Sequence, residues 1–172
     1  MKKDTRREFI AKSTAAVAGV SVGLQAFGSA QSSRIFGSND KIRMGFIGIG
    51  NRGSQLLSVF MKQPGCEVAA LCDIYEPYPL RDRSKVDPRY LEMLPGQIPE
   101  MGEKFTVQPK IYTDYRKLLE DKTIDAVCIA TPDHWHALQT IHAIQAGKDV
   151  YVEKPLTQTI VEGRKMVQAQ AA

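Results

Sequence analysis

Three glycines in the segment 48–53 have the spacing of a phosphate-binding turn. The segment reads Gly-Ile-Gly-Asn-Arg-Gly and directly follows the strand-like run 42–47. In such a turn the first glycine permits a sharp bend, the second lets the backbone approach a pyrophosphate, and the third lets helix and strand pack closely. The N-terminus of the following helix adds free N–H groups and a positive dipole. The residues expected to bind a dinucleotide here are Gly48, Gly50, Asn51, Arg52 and Gly53.

An acidic residue stands where a dinucleotide-binding fold needs one. Asp73 directly follows the apolar run 68–72 and lies 25 positions after Gly48, near the roughly 20-residue offset of a carboxylate that binds the adenosine ribose. A carboxylate accepts hydrogen bonds from a free 2′-hydroxyl and repels a 2′-phosphate, so NAD is favoured as the cofactor. NADP is the alternative, because Arg81 or Arg83 could fold back onto a phosphate. Asp73 could also simply cap a helix or turn.

Two further polar segments follow later strand-like runs. Thr-Pro-Asp-His-Trp-His occupies 131–136, after the run 124–130, and Glu-Lys-Pro occupies 153–155, after the run 149–152. Ligands bind at the carboxyl ends of parallel strands, so both segments are expected to face the same crevice as Gly48. The pair His134 and His136 has the spacing of two metal ligands but no third ligand. We therefore expect helix-start packing and no metal site.

The elements that must position these residues alternate along the chain. The pattern predicts strands at 42–48, 67–73, 109–112, 124–130 and 149–152, and helices at 52–63, 114–121, 134–146 and 159–171. Strands such as 126–130 are apolar on both faces, which is typical of central parallel strands covered by helices. The predicted fold class is therefore α/β, a Rossmann-type doubly wound parallel sheet over residues 42–172.

Residues 75–105 interrupt this alternation. They hold five prolines, at positions 77, 79, 88, 95 and 99, which is too many for one long helix because proline lacks an N–H and clashes with the preceding turn. We predict an insertion with a short helix near 84–94. It would form a lid, a partner surface or a solvated loop.

Composition favours a packed globular domain. The 172 residues are 43% hydrophobic and 24% charged, with a net charge of +4. Without residues 1–30 the chain holds 18 basic and 17 acidic side chains, and no basic cluster, so nucleic acid is not an expected partner. The three cysteines have no metal or disulfide spacing, and Cys72 and Cys128 are expected to be buried as small apolar side chains.

The first thirty residues resemble an export signal. Residues 5–12 read Thr-Arg-Arg-Glu-Phe-Ile-Ala-Lys, the pattern of a twin-arginine signal. An Ala-, Gly- and Val-rich stretch follows, then the small residues Gly-Ser-Ala at 28–30. We expect a signal peptide over 1–30, a linker over 31–41, and export to the periplasm by the twin-arginine translocase. A retained amphipathic helix or an uncleaved membrane anchor is the alternative.

The later motifs together resemble the N-terminal domain of the glucose-fructose oxidoreductase and inositol dehydrogenase family (Gfo/Idh/MocA). The resemblance lies in Thr-Pro followed by a histidine, the Ala-Gly-Lys turn at 146–148 and Glu-Lys-Pro, and it extends over about residues 41–172. It implies an NAD(P)-dependent oxidoreductase with Lys154 as a catalytic residue that orients or polarises the substrate hydroxyl. Glu153 would bind the nicotinamide-side ribose or hold Lys154. The other implied crevice residues are Thr131, Pro132, Trp135 and His136.

The resemblance also implies a second domain. Family members carry a further acid/base residue and most of the substrate pocket in a C-terminal domain, and we expect this chain to stop before it and to bind cofactor with little turnover. The full-length protein would oxidise or reduce a sugar, cyclitol or related polyol and would form a homo-oligomer. Two alternatives are an exported NAD-dependent glycosidase of the same fold and a non-catalytic dinucleotide-binding module.

Overall fold

A five-stranded parallel sheet organises residues 41–172, the part of the chain that the computed structural model describes. Its strands are β1 (Ile42–Ile47), β2 (Cys66–Cys72), β3 (Lys110–Tyr112), β4 (Ala126–Ile129) and β5 (Asp149–Val152). They lie in the order β3-β2-β1-β4-β5, and every neighbouring pair is parallel. All five predicted strands are confirmed. The order reverses between β1 and β4, which places a crevice above the carboxyl end of β1.

Five α-helices belong to this region. They are α1 (Asn51–Phe60), α2 (Pro88–Met93), α3 (Tyr115–Glu120), α4 (His136–Gln145) and α5 (Ile160–Gln170). The four predicted long helices are confirmed as α1, α3, α4 and α5, with ends that differ by one to three residues. At α5 the start is set by a capping box, in which Thr159 accepts a hydrogen bond from the N–H of Glu162 while the Glu162 carboxylate accepts one from Thr159.

Helices cover both faces of the sheet. One buried cluster holds Ile47 and Val127 with Leu118 of α3, and the other holds Phe46 with Leu57 of α1. Consecutive residues of β1 therefore point into different clusters, as the two-residue period of a strand requires. This arrangement confirms the doubly wound α/β fold.

The two strand cysteines are buried, as expected. Cys72 and Cys128 are both free thiols in the core. Burial raises the pKa of each thiol to about 12. Both side chains therefore stay protonated and pack as small apolar groups.

The short helix predicted near 84–94 is present as α2, but it covers only the second half of that range. A 3₁₀ turn spans Arg83–Lys85 and α2 begins only at Pro88. Proline disfavours a helical conformation in the residue before it, and Asp87 has φ −55° and ψ 124°. Asp87 then caps α2 by accepting a hydrogen bond from the N–H of Arg89. The insertion is also packed rather than merely solvated, since Val86 and Ile98 are buried.

Each helix within residues 41–172 is too short or too polar to cross a membrane. The predicted signal peptide at 1–30, and all but the last residue of the predicted linker, lie outside the described residues.

Candidate functional site

The turn between β1 and α1 forms the floor of a cleft. Gly48 has φ +83°, a left-handed conformation that favours glycine, and its N–H donates to the carbonyl of Cys72 at 2.9 Å. A Cβ on Gly48 would lie 2.7 Å from the backbone nitrogen of Thr131. A Cβ on Gly53 would lie 2.0 Å from the carbonyl oxygen of Gly48. Both positions require glycine because backbone atoms fill the space.

The N-terminus of α1 opens into this cleft. Gly50 is its N-cap residue and supplies no side-chain cap. A Cβ on Gly50 would come near one residue of the described chain, with Cε2 of Tyr78 at 3.8 Å. The first N–H groups of a helix have no partner within the helix, and the helix dipole is positive at this end. The backbone at Gly50 and Asn51 can therefore bind phosphate oxygens.

Asp73 lies directly after β2 in the wall of the same cleft. Its Oδ2 accepts a hydrogen bond from the N–H of Ile49 at 2.8 Å, and its Oδ1 accepts one from the N–H of Tyr75 at 3.0 Å. These two bonds fix the carboxylate beside the glycine turn. Each carboxylate oxygen has more than one acceptor position, so Asp73 caps the turn and can still accept from a ligand hydroxyl.

The cleft has a volume of about 690 Å³, within the usual range for small-molecule sites. Its lining contains eight of the residues selected from the sequence, namely Gly48, Gly50, Asn51, Arg52, Asp73, Thr131, Pro132 and Trp135. Four of the selected residues are not part of the lining. They are Gly53 beneath the turn, the buried His136 and Glu153, and the exposed Lys154.

An ion pair joins the N-terminus of α1 to the end of β5. Nη2 of Arg52 lies 2.7 Å from Oε1 of the buried Glu153. The hydrogen bond from Arg52 lowers the pKa of Glu153 and raises the pKa of Arg52. The N–H of Lys154 also donates to Oε2 of Glu153 at 3.2 Å. Glu153 is therefore an ionised anchor that holds both Arg52 and the backbone at Lys154.

His136 joins the segment after β4 to the segment after β5. Its ring is buried, with Nδ1 2.7 Å from the carbonyl oxygen of Pro155 and Nε2 2.8 Å from that of Thr131. Both ring nitrogens thus lie against backbone oxygens, and no three metal-ligating side chains come together within the described range 41–172. A 3₁₀ turn, Asp133–Trp135, precedes α4 and leaves His134 exposed. The histidine pair is therefore split between a buried and a solvent-facing position.

The two arginines proposed from the sequence to reach a 2′-phosphate are engaged elsewhere. The buried Arg81 pairs with Glu103 and donates to Oγ of Ser54 at 2.9 Å. Arg83 donates to the carbonyl of Pro99 at 3.0 Å. Both guanidinium groups are thus bound within the insertion or to α1.

Part of the cleft wall was not predicted from the sequence. The further lining residues include Thr113, Asp114, Tyr115 and Arg116 after β3, Gln139 on α4, and Ile74 and Tyr78 after β2. The rule that selected Asp73, a polar residue just after a strand, also points to Asp114. Gln139 accepts a hydrogen bond from Oγ1 of Thr131 at 2.7 Å, but a buried helix position carries no such signal. Tyr78 lies in the insertion, where no pattern applied.

Comparison with known proteins gives one family over the whole described fold. The Gfo/Idh/MocA family model, an oxidoreductase family with an NAD-binding Rossmann fold, matches residues 42–172. A "Glycosyl hydrolase family 109 protein" of Shewanella baltica is 30% identical over 91% of this chain and 35% of its own length. A protein of the same description from Shewanella pealeana is 35% identical over 72% of this chain and 25% of its own length.

Solved structures agree with this fold. The myo-inositol 2-dehydrogenase of Lactobacillus plantarum is 23% identical with a TM-score of 0.56, over 76% of this chain and 33% of its own. A 3-ketoreductase of Actinomadura kijaniata, solved in complex with NADP, is 27% identical with a TM-score of 0.56, over 77% of this chain and 34% of its own. The chain thus spans about a third of these structures, and between a quarter and about a third of the curated relatives.

Proposed function

Because the chain belongs to the Gfo/Idh/MocA oxidoreductase family and contains its NAD-binding Rossmann domain, we propose that the cleft above β1 and β2 is the cofactor site. One observation carries this proposal. The uncapped N-terminus of α1 at Gly50 and the carboxylate of Asp73 both line a single cleft of about 690 Å³. The first suits a pyrophosphate and the second suits the adenosine ribose, so one extended dinucleotide satisfies both.

The preferred cofactor in this proposal is NAD. The carboxylate of Asp73 would face the ribose 2′ group, and Arg81 and Arg83 are held by other partners. Two arginines line the cleft, and both are paired: Arg116 with Asp114 at 2.8 Å and Arg52 with Glu153 at 2.7 Å. The Asp73 carboxylate would therefore repel a 2′-phosphate, and the arginines of the cleft lining are already paired with carboxylates.

The nicotinamide half is assigned to the other side of the cleft. Thr131, Pro132 and Trp135 would line it, while His136 and Glu153 hold the surrounding backbone in place. Lys154 is the proposed catalytic residue, because its side chain is exposed at the carboxyl end of β5. There it can donate a hydrogen bond to the oxygen of a substrate hydroxyl and so orient and polarise that group, while an acid/base residue outside this chain would take the hydroxyl proton. The bound nicotinamide would supply the hydride chemistry.

For a protein of the relatives' full length that includes this chain, the proposed substrate is a sugar, a cyclitol or a related polyol. The names of a myo-inositol 2-dehydrogenase and a 3-ketoreductase among the similar structures support a hydroxyl or keto carbon of a ring compound. We also propose that such a full-length protein forms a homo-oligomer.

A second candidate is an NAD-dependent glycosidase, which the description of the Shewanella relatives favours. The two are separated by the product in a longer protein that includes this chain. An oxidoreductase changes the nicotinamide absorbance in proportion to product. A glycosidase releases the aglycone of a model glycoside, with no net change in that absorbance.

A cofactor titration tests the binding proposal on the chain itself. Trp135 is the single tryptophan of the sequence and lines the cleft, so NADH and NADPH binding should quench its fluorescence. We expect saturable quenching with tighter binding of NADH. Replacing Asp73 by Asn removes the negative charge and should reduce the preference for NADH several-fold. A folded sample, judged by circular dichroism, that binds neither cofactor would overturn the proposal.

Export by the twin-arginine route is proposed from residues 1–30. The paired arginines Arg6 and Arg7 support it, since the twin-arginine translocase recognises such a pair. This pathway exports proteins after they have folded. Fusing residues 1–41 to a reporter should carry the reporter to the periplasm. Replacing both arginines by lysine should leave it in the cytoplasm, and unchanged export of that variant would contradict the proposal.

A further inference from the structure

The insertion brings a tyrosine into the cofactor cleft. Tyr78 lines the cleft, and its Cε2 lies 3.8 Å from the position of a Cβ on Gly50. Burial and, to a smaller extent, the charge of Asp73 raise the pKa of the Tyr78 phenol. The hydroxyl therefore keeps its proton and is a hydrogen-bond donor. None of residues 41–172 accepts that hydrogen bond.

The ring of Tyr78 is fixed by its neighbours in the insertion. Tyr75 meets it edge to face, with ring centroids 4.9 Å apart. The hydroxyl of Tyr75 in turn accepts a hydrogen bond from the N–H of Asp87 at 3.0 Å. Contacts within the insertion thus hold the Tyr78 ring in place, and its hydroxyl is left free to donate a hydrogen bond.

A buried arginine connects this segment to the glycine turn. The backbone N–H of Arg81 donates to the carbonyl of Tyr78 at 3.1 Å, and its guanidinium donates to Oγ of Ser54 at 2.9 Å. The Ser54 hydroxyl donates to the carbonyl of Ile49 at 3.1 Å. Arg81 has φ +54°, an uncommon conformation for a residue with a side chain, which its ion pair with Glu103 helps to hold.

We propose that Tyr78 is a cofactor-binding residue supplied by the insertion, and that its hydroxyl donates to the adenosine half of the dinucleotide. The placement supports this, since Tyr78 lies against Gly50, the expected pyrophosphate contact, and is close enough to Asp73, the expected ribose contact, to be influenced by its charge. Arg81 is a positioning residue that acts through Tyr78. The inference rests on the proposed cofactor function.

Calorimetric titration of the full chain with ADP-ribose and with NADH tests this role. Tyr78→Phe keeps the ring and removes the donor, so we expect both ligands to bind about fivefold to tenfold more weakly with an unchanged melting temperature. Tyr90→Phe is the matched control, because Tyr90 lies in the same insertion and packs on Tyr75 but is not part of the cleft lining. It should bind both ligands as the unmodified chain does.

The outcomes separate the possibilities. Equal affinities of Tyr78→Phe, Tyr90→Phe and the unmodified chain, while Asp73→Asn still alters NADH binding, would overturn the role of Tyr78 and leave the proposed function standing. A folded unmodified chain that binds neither ligand would overturn both. Arg81→Met, if it folds, should weaken ADP-ribose binding as Tyr78→Phe does. If it unfolds, the result for Tyr78→Phe decides alone.

Discussion

The two ends of the sheet carry polar groups that are used in opposite ways. At the amino ends of the strands, Asp121 accepts hydrogen bonds from Nζ of Lys110 at 2.7 Å and from the hydroxyl of Tyr112 at 2.9 Å. Beside it, the buried Lys148 donates to the carbonyls of Asp121 and Ile124, both at 2.8 Å. At the carboxyl ends, the first N–H groups of α1 and the hydroxyl of Tyr78 lack such partners within residues 41–172.

This difference shows how one fold separates stability from binding. A buried charge contributes to a stable structure only when hydrogen bonds replace the water it has lost. At the amino end, Asp121 and the buried Lys148 meet that condition inside the protein. In the cleft, the N–H groups of α1 and the Tyr78 hydroxyl remain available for hydrogen bonds, so a ligand can supply their partners. Substitutions at the two ends should therefore change different measured quantities.

The largest effect is expected at the amino end. Replacing Lys148 by Met keeps the length of the apolar stem but removes a donor from the carbonyls of Asp121 and Ile124. The carbonyl of Asp121 keeps the N–H of Ile124 at 3.3 Å, so the larger loss falls on the carbonyl of Ile124. The free energy of unfolding should fall by about 2 kcal/mol, as measured by urea denaturation. The NADH affinity of the folded protein should not change. A large loss of affinity with intact stability would break the proposed separation.

At the carboxyl end, Gly50→Ala should affect binding alone. A methyl group there projects toward the cleft and lies 3.8 Å from Cε2 of Tyr78. This is an ordinary van der Waals distance, so the fold should tolerate the methyl group. It would obstruct the approach of a pyrophosphate to the backbone. We expect NADH affinity to fall about tenfold, which is about 1.4 kcal/mol, with no change in the urea midpoint. Gly65→Ala is the control, since no atom lies near its added methyl group.

The smallest effect is a pH dependence of stability. Burial opposes ionisation of Asp121, but hydrogen bonds from Lys110, Thr123 and Tyr112 lower its pKa below the ordinary value. A carboxyl group whose pKa is lower in the folded state stabilises the fold at pH values above its pKa in the unfolded chain, which is about 4. That contribution is lost as the pH falls further. Urea midpoints measured between about pH 6 and pH 3 should therefore fall less steeply in Asp121→Asn than in the unmodified chain.

The fold was predictable because its signals are local. Apolar runs such as 126–129 and the helical period of 136–145 indicate which residues are buried, and each of these patterns is visible in a short window of sequence. Segment 84–94 was not predictable as a whole. There Pro88 restricts Asp87, and the break between the 3₁₀ turn and α2 depends on that one backbone preference.

Within the cleft, the residues found from local sequence patterns stand directly after strands or in the glycine turn, whereas Pro132 and Trp135 were found through the family resemblance. Gly48, Asp73 and Thr131 belong to the first group, and all three line the cleft. Glu153 was found in the same way, but its pairing with Arg52, 101 positions earlier, was not. Tyr78 and Gln139 were missed because neither follows a strand.

The sequence by itself determined the parallel α/β fold and the phosphate-binding turn, because strand period, helix period and glycine spacing act over a few neighbouring residues. Only the tertiary structure decided which polar groups have partners. It places Arg81 against Ser54 and Glu103, His136 between Thr131 and Pro155, and Tyr78 beside Gly50. Most of these contacts join residues on different elements. The chain must first pack its core before they can form, and no local pattern encodes them.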